Sequence, residues 1–451
     1  MPPRSSRQLQ QAVDRIIESY VAPDGPGISL LIGRGKRILI QKGYGMAHVE
    51  RRVPVEPGTR FLIASVSKQF TAMAIMLLKH RGLLAYDEPI ARFFPDFPTY
   101  RNRVTIRQLL THTSGVREYL TKEYFEAVEA GAEFDLAGVI DLIRDLGDLE
   151  FEPGSRWRYC NSGYVMLGAI VEKVSGRSFA TFLRDHVFVP LNMTSTVVGE
   201  SGEHLAGQAI GYTYRSRADF EAAPYSFSAN VGWADGNIIS TTQDLFKWGQ
   251  ALYTRKLLPL EELAAALVPC NPLDPSFSRY GFGQGISERR GVREVHHSGG
   301  IGGYVSWFSR FTDEQLTIIL LSNAAGVDLA SITGSLAELL LENKLAPIVP
   351  VDLDQGLLLE VAGSYGGKPR DVPITMEVAL EEGSLVATFW DRRRAQLVPL
   401  GRDFFRCVGP ADVYIQFLRD TRGGVTGVRV LSGGMVSTLH RLPAVEAQPQ
   451  S

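Results

Sequence analysis

The chain has 451 residues, a length that suits two or three domains. Hydrophobic residues make up 45% of it and charged residues 21%, as in an ordinary globular protein. The net charge of −2 gives no sign of nucleic-acid or acidic-membrane binding, and no run of about 18 apolar residues predicts a membrane span.

The cysteines and the N-terminal segment indicate in which cellular compartment the protein is expected. Cys160, Cys270 and Cys407 are far apart and odd in number, which predicts neither a disulfide framework nor a C-x-x-C metal site. Residues 1–21 contain no continuous apolar stretch of the kind that a signal peptide needs. We therefore expect a cytoplasmic protein.

The first predicted elements are a helix and a β-hairpin. The helix places apolar side chains on one face, at Leu9, Val13, Ile16 and Ile17. Residues 28–50 are typical of two apolar strands joined by a turn at 33–36. The glycines of this turn do not complete G-x-G-x-x-G and no helix follows them, so we expect no nucleotide-binding loop.

Residues 61–82 predict a buried helix with a Ser and a Lys three apart in its first turn. Ser65 and Lys68 are neighbours on such a helix. A serine hydroxyl is a weak nucleophile until a neighbouring group takes its proton, and an amine one turn away can do so or can hold a charge that eases the loss. The helix N-terminus adds backbone N–H groups where an oxyanion could form.

The middle of the chain is predicted to be mostly helical. Residues 104–110 and 165–174 predict helices, and 118–150 are helical in character. Residues 201–230 are rich in Gly, Ser and Tyr and poor in long apolar runs, which predicts a long surface loop.

The remaining elements predict a sheet and then a separate all-β module. Strand-like segments at 292–295, 304–308 and 316–321 favour an antiparallel sheet, and 329–341 predicts a final helix. From about residue 357 onward, short alternating segments between turns predict a small barrel or sandwich.

A second motif, Tyr159-Cys160-Asn161, follows Lys68 at a distance along the chain. A tyrosine hydroxyl close to positive groups can lose its proton more easily and act as a general base. An Asn two residues later can hydrogen-bond a substrate carbonyl and the Lys together. Tyr100-Arg101-Asn102 has the same pattern, but it lies in a polar loop flanked by prolines and is the weaker candidate.

A third motif, His297-Ser298-Gly299, lies at the edge of the predicted sheet and precedes a glycine-rich stretch. Small residues let a substrate approach the backbone of an edge strand. The alternative interpretation is a glycine-rich turn in which His296 and His297 are incidental.

Together these motifs resemble, in order and spacing, the S-x-x-K, Y-x-N and K-T-G or H-x-G boxes of class C β-lactamase-like serine hydrolases. That group includes β-lactamases, D-alanyl-D-alanine carboxypeptidases, D-aminopeptidases and related esterases. The resemblance covers about residues 8 to 345 and includes secondary features at 109–115, 151–154, 167–170 and 297–303.

The resemblance implies an α+β fold, with an antiparallel sheet flanked by helices and a helical subdomain. The C-terminal module, which starts with Ala362-Gly363-Ser364-Tyr365, resembles the lipocalin-like β-barrel appended to D-aminopeptidases. We expect a hydrolase domain over 1–346, a linker over 347–354 and an all-β barrel over 355–451.

The resemblance also implies a role for each motif residue. Ser65 is expected to be the acylated nucleophile, with Lys68 and Tyr159 sharing the work of the base. The expected substrate-binding residues are Asn161, His297 and Gly299, and the expected oxyanion hole is formed by the N–H groups of Ser65 and Gly300. No cofactor and no metal are expected, and no H-E-x-x-H or G-x-S-x-G motif occurs.

One departure from the family pattern bears on the substrate. His297 stands where most β-lactamases and carboxypeptidases of this type carry a Lys. A Lys is a permanent cation suited to a substrate carboxylate, whereas a His is largely neutral at pH 7. The change favours esters, amides or peptides with a free N-terminus over penicillins.

We therefore expect a serine hydrolase that acts through an acyl-enzyme on an amide, peptide or ester, with a small-molecule or short-peptide substrate. The alternatives are a β-lactamase or D-alanyl-D-alanine carboxypeptidase, and a non-catalytic binding protein on the same fold. The barrel could narrow access to the active site or mediate homo-oligomers. Four aromatic residues have positions that suit either the lining of the substrate pocket or the core: Tyr119, Tyr212, Tyr225 and Trp233.

Overall fold

The computed structural model describes residues 5–199, 204–223, 233–270, 278–368, 373–409, 411–433 and 435–443. The helices before residue 346 are α1 Ser6–Glu18, α2 Lys68–His80, α3 Ile106–Leu110, α4 Lys122–Glu129, α5 Leu136–Asp145, α6 Asn161–Ser175, α7 Phe179–Leu183, α8 Thr242–Ala251, α9 Leu260–Ala265 and α10 Leu329–Leu341. None of the helices within these ranges is long and apolar enough to cross a bilayer.

The strands of the same region form one large sheet and several small ones. They are β1 Ile28–Arg34, β2 Arg37–Tyr44, β3 Met46–His48, β4 Val53–Pro54, β5 Phe61–Leu62, β6 Val197–Val198, β7 Tyr212–Ser216, β8 Asp219–Ala222, β9 Ile238–Ser240, β10 Gly285–Arg289, β11 Val292–Ile301, β12 Tyr304–Phe311, β13 Leu316–Ser322 and β14 Ala324–Ala325. The large sheet is antiparallel, in the order β10-β11-β12-β13-β1-β2.

Helices cover both faces of the large sheet. All seven residues of β13 are buried, as expected for a strand with protein on both sides. Ile318 and Leu320 belong to the core shared with α1 and α10, whereas Ile319 and Leu321 belong to the core shared with α2 and α8. This alternation follows from the two-residue period of a strand. It confirms the expected fold class, an antiparallel sheet flanked by helices.

Several local predictions are confirmed and one is wrong. The hairpin of β1 and β2 and the helix α10 lie where the sequence placed them. The stretch 118–150 is helical as expected, in two helices, α4 and α5, separated around Gly131, whose φ is +92°. The expected loop at 201–230 contains a hairpin of β7 and β8.

The C-terminal module is a closed barrel of eight antiparallel strands. It comprises α11 Gln355–Val361 and the strands β15 Gly363–Gly367, β16 Ile374–Glu381, β17 Ser384–Thr388, β18 Arg394–Gly401, β19 Phe404–Cys407, β20 Val413–Arg419, β21 Val425–Ser432 and β22 Met435–Arg441. Closure removes exposed sheet edges and encloses its own small core, which includes Met376, Leu385, Ile415 and Val428. The barrel is therefore confirmed, while the boundaries at 346 and 355 stay predictions.

The turn that joins β21 and β22 contacts the edge of the large sheet. The carbonyl oxygen of Gly433 accepts a hydrogen bond from His296 Nε2 at 2.8 Å. The Val436 N–H donates to Ser278 Oγ at 3.0 Å. The His296 ring also stacks on Trp307, with ring centroids 5.1 Å apart. The barrel is thus attached to strand β11, which carries the third motif.

The space around Gly433 shows how closely the turn packs against His296. Its φ is +54°, and a Cβ added there would lie 2.8 Å from a carbon of the His296 ring. Gly383, in the turn between β16 and β17, also has a positive φ (+81°) but faces open space. We expect Gly383→Ala to cost about 1 kcal/mol, the conformational term alone, and Gly433→Ala to cost more because the ring must also move.

Denaturant unfolding of both variants, followed by circular dichroism, measures this difference. Equal losses of stability in the two variants would show that the contact with His296 does not constrain the turn.

Candidate active site

Ser65 lies in a short 3-10 helix, Ala64–Ser67, that connects strand β5 to α2. It therefore precedes α2. The sequence analysis had placed it in the first turn of that helix. Ala64 has φ +47°, an unfavourable conformation for a residue with a Cβ, so the turn depends on its surroundings. One support is the hydrogen bond from Ser306 Oγ to the Ile63 carbonyl, at 2.7 Å.

Gly299 brings strand β11 directly against this turn. A Cβ on Gly299 would lie 2.5 Å from the Ile63 carbonyl oxygen and 3.0 Å from the Ala64 Cβ. Only a glycine permits this approach. Because Gly300 follows in the same strand, Ser65 and Gly300 come to line one cavity.

Lys68 is fully buried below that cavity and contacts three separate segments of the chain. Its Nζ lies 3.1 Å from Ser65 Oγ, 2.8 Å from Asn161 Oδ1 and 2.8 Å from the Asp235 carbonyl oxygen. An ammonium has three N–H donors, and these three oxygens match them. The Nζ also lies 5.0 Å from the centroid of the Tyr159 ring.

Asn161 is oriented by a carboxylate that the sequence analysis did not single out. Asn161 is the first residue of α6, and both its backbone N–H and its side-chain Nδ2 donate to Glu118 Oε2, at 2.8 and 3.1 Å. Holding Nδ2 in this way turns Oδ1 toward Lys68. Burial raises the pKa of the Glu118 carboxyl, and the nearby charge of Asp235 adds to the rise.

The motif residues meet at a cavity of about 470 Å³. It is lined by Ser65, Tyr159, Asn161, His297, Gly299 and Gly300. Asp235 and Met435, the latter from the barrel, complete part of the wall. The fold thus brings together at one place the residues of all three sequence motifs.

A family model described as Beta-lactamase matches residues 13–340 of this chain. The chain belongs to the beta-lactamase family. The match includes the whole region that forms the large sheet and the cavity motifs, and it stops before the barrel.

Comparison with individual proteins agrees with this family assignment. Penicillin-binding protein 4* of Bacillus subtilis (strain 168) is 34% identical over 308 residues, which cover 65% of this chain and 67% of that protein. A D-aminopeptidase of Cereibacter sphaeroides is 28% identical over 319 residues, covering 69% of this chain and 60% of that protein. The structure of the octameric penicillin-binding protein homologue from Pyrococcus abyssi superposes with a TM-score of 0.66 at 25% identity, over 97% of this chain and 100% of that one.

Within this beta-lactamase-family domain, His297 is held by two hydrogen bonds. Its Nδ1 lies 2.6 Å from the Ser298 carbonyl oxygen, which can only accept, so Nδ1 carries a proton. Its Nε2 lies 2.7 Å from the hydroxyl of Tyr280. Burial raises the pKa of Tyr280, so it stays a phenol, which can donate to Nε2 or accept from it. The two contacts fix the orientation of the His297 ring at the cavity.

Asp235 adds a buried negative charge to the same cavity wall. Only 3% of the residue is exposed. Its Oδ1 accepts from the Trp233 N–H at 2.8 Å, and its Oδ2 lies 3.4 Å from the Tyr119 hydroxyl. With Glu118 close by, two carboxyl groups lie near the Lys68 ammonium.

The other candidates from the sequence have different surroundings. Tyr100, of the second Y-x-N pattern, is buried in the core with its ring 6.3 Å from that of Phe97. Tyr212 is also a core residue, and its hydroxyl donates to Glu50 Oε2 at 2.6 Å. Tyr225 lies outside the described residues.

Four site residues were missed by the sequence analysis: Glu118, Asp235, Tyr280 and Met435. For Asp235 a weak signal existed, because a carboxylate beside Gly236 directly precedes a buried strand. Met435 gave no signal, since only the folded barrel brings it to the cavity.

Proposed function

We propose that the chain is a serine hydrolase that acts through an acyl-enzyme on amides, short peptides and esters, with Ser65 as the nucleophile. The observation that carries the proposal is the position of Lys68 Nζ, in hydrogen-bond contact with both Ser65 Oγ and Asn161 Oδ1 at a cavity. The similarity to a D-aminopeptidase supports amides and peptides as the substrate class.

Tyr159 is assigned as the base that accepts the Ser65 proton. As an ammonium, Lys68 donates one N–H to each of its three oxygen neighbours and has no lone pair with which to accept the Ser65 proton. Its positive charge instead favours ionised oxygen on Tyr159 and Ser65, which eases the transfer. On deacylation, the same tyrosine would take a proton from the attacking water.

The remaining residues act on the substrate carbonyl. The N–H groups of Ser65 and Gly300 are assigned to the oxyanion hole, where two donors stabilise the developing charge. Three residues are assigned to substrate binding: Asn161 at the start of α6, and His297 and Gly299 on β11.

The charges of the site favour a substrate with a free amino group. His297 is not a permanent cation of the kind that Lys would offer to a carboxylate, and the buried carboxylate of Asp235 lines the cavity. A buried carboxylate gains from an ammonium partner. The same balance counts against the β-lactamase and carboxypeptidase alternatives, whose substrates carry a carboxylate.

Assembly and location are part of the proposal. A homo-oligomer is supported by the octameric state named for the Pyrococcus abyssi homologue. A cytoplasmic location rests on the sequence alone.

Ser65→Ala should remove covalent labelling. We expect a fluorophosphonate to add one adduct to the native chain, detected by intact-protein mass spectrometry, and none to the variant. Ser155→Ala, at an exposed serine, is the control and should label normally. An adduct that persists in Ser65→Ala would assign the nucleophile elsewhere.

Lys68→Met should lower both activity and stability. We expect kcat/KM for p-nitrophenyl acetate to fall by about 100-fold or more, the usual range for loss of acid–base assistance. The melting temperature should also fall, since a Met leaves the buried oxygens of Asn161 and Asp235 without the N–H donors of Lys68.

Lys79→Met, at the other end of α2, is the matched control and should keep the activity, because Lys79 pairs with Glu262 away from the cavity. Full activity in Lys68→Met would refute the assigned role.

Asp235→Asn should weaken the preference for free amines. We expect the native chain to hydrolyse D- or L-alanine p-nitroanilide with a higher kcat/KM than the N-acetyl derivative. In the variant, the ratio of these two kcat/KM values should fall about tenfold, as for the loss of one charged hydrogen bond. Asp145→Asn, an exposed change of the same charge, should leave the ratio as it is. An unchanged ratio in Asp235→Asn would exclude the carboxylate from amine binding.

A further inference from the structure

A second cavity lies beside α2 and shares no lining residue with the active site. Its volume is about 180 Å³. The walls are mostly apolar and come from α2, α8, α9 and the segment before β10, and they include Met73, Met76, Trp248, Leu252, Leu263 and Phe282. Leu260, which is 42% exposed, lies at its edge and gives a route from solvent.

Three polar side chains, Arg310, Gln284 and Gln69, interrupt this apolar wall, and two of them have a donor without an acceptor among the described residues. The first of these two is Arg310. Only 2% of Arg310 is exposed, and burial lowers the pKa of its guanidinium. One terminal nitrogen donates to Gln284 Oε1 at 2.8 Å, and the group lies 5.3 Å from the Tyr253 ring centroid. Its Nε–H has no acceptor, and no carboxylate among the described residues forms an ion pair with it.

The second of these two side chains is Gln69, which is also 2% exposed. Its Oε1 accepts from the indole N–H of Trp248 at 3.0 Å. Because an indole nitrogen can only donate, this bond fixes which way the amide points. The Nε2 group is thereby left as a buried donor with no acceptor in the part of the chain that the structure describes.

The cavity therefore combines two unsatisfied donors, one of them cationic, with walls that are otherwise apolar. A buried donor without an acceptor is costly, and a buried cation without a counter-ion more so. A ligand that removes both costs must bring an anionic acceptor on an apolar body. An apolar cavity of about 150 Å³ can hold benzene, so a volume of 180 Å³ suits a body of that size.

We propose that this cavity binds a small organic carboxylate with an apolar body, its carboxylate on Arg310 and Gln69. Gln69 directly follows Lys68 in the chain, and a Cβ on Gly283, next to the lining residue Gln284, would lie 2.7 Å from the Lys68 carbonyl oxygen. An occupant thus packs against the start of the helix that carries Lys68. The binding requires neither a reactive Ser65 nor any turnover.

Benzoate and its neutral analogue benzamide test the site on the full chain. We expect isothermal titration calorimetry to show benzoate binding at least about tenfold tighter than benzamide, the usual gain of one charge-assisted hydrogen bond. Arg310→Met should lose about tenfold or more of the benzoate affinity. Arg293→Met removes an exposed charge nearby and should bind as the native chain does.

Crystals soaked with 4-bromobenzoate give a second readout on the native chain, which does not depend on the variant folding. The bromine anomalous signal should lie in the cavity, with the carboxylate on Arg310. Equal binding of benzoate and benzamide, full benzoate affinity in Arg310→Met, or a cavity that holds only ordered water in the soaked crystals would each overturn the proposal.

Discussion

The active-site region depends on one buried ammonium. Lys68 holds the serine turn, the start of α6 and the segment before β9 together through three oxygens from three parts of the chain. A cation without solvent is unfavourable unless its hydrogen bonds are complete, so these segments must all be in place at once. Lys68 therefore determines both the geometry of the cavity and the positive charge at its base.

The large sheet makes that arrangement rigid. Gly299 lets β11 lie against the Ile63–Ala64 backbone, and Ser306 from β12 ties the same turn to the sheet. The unfavourable φ of Ala64 is thus imposed by packing on one side and by a hydrogen bond on the other. Such a turn keeps a side chain oriented without the help of a ligand.

Much of this was visible in the sequence, and the rest was not, for physical reasons. The period of apolar residues located α10 and the first hairpin, and residue spacing located the three motifs, because both signals are local. The break between α4 and α5 could have been found from Gly131 and from Asp135, which caps α5. The parallel pairing of β7 with β14 could not, since Tyr212 and Ala324 meet only in the folded chain. Asp235 and Met435 reach the cavity in the same way, and no local pattern marks them.

The hydrogen bond between Gly433 and His296 has a consequence for how the protein is made. Met435, one wall of the cavity, is translated long after the strand that it faces. On the ribosome, the sheet and the serine turn can form while that wall is still absent, since domains generally fold in the order of synthesis. The nascent chain thus passes through a stage with a wider cavity, and strands synthesised after the sheet complete the cavity wall.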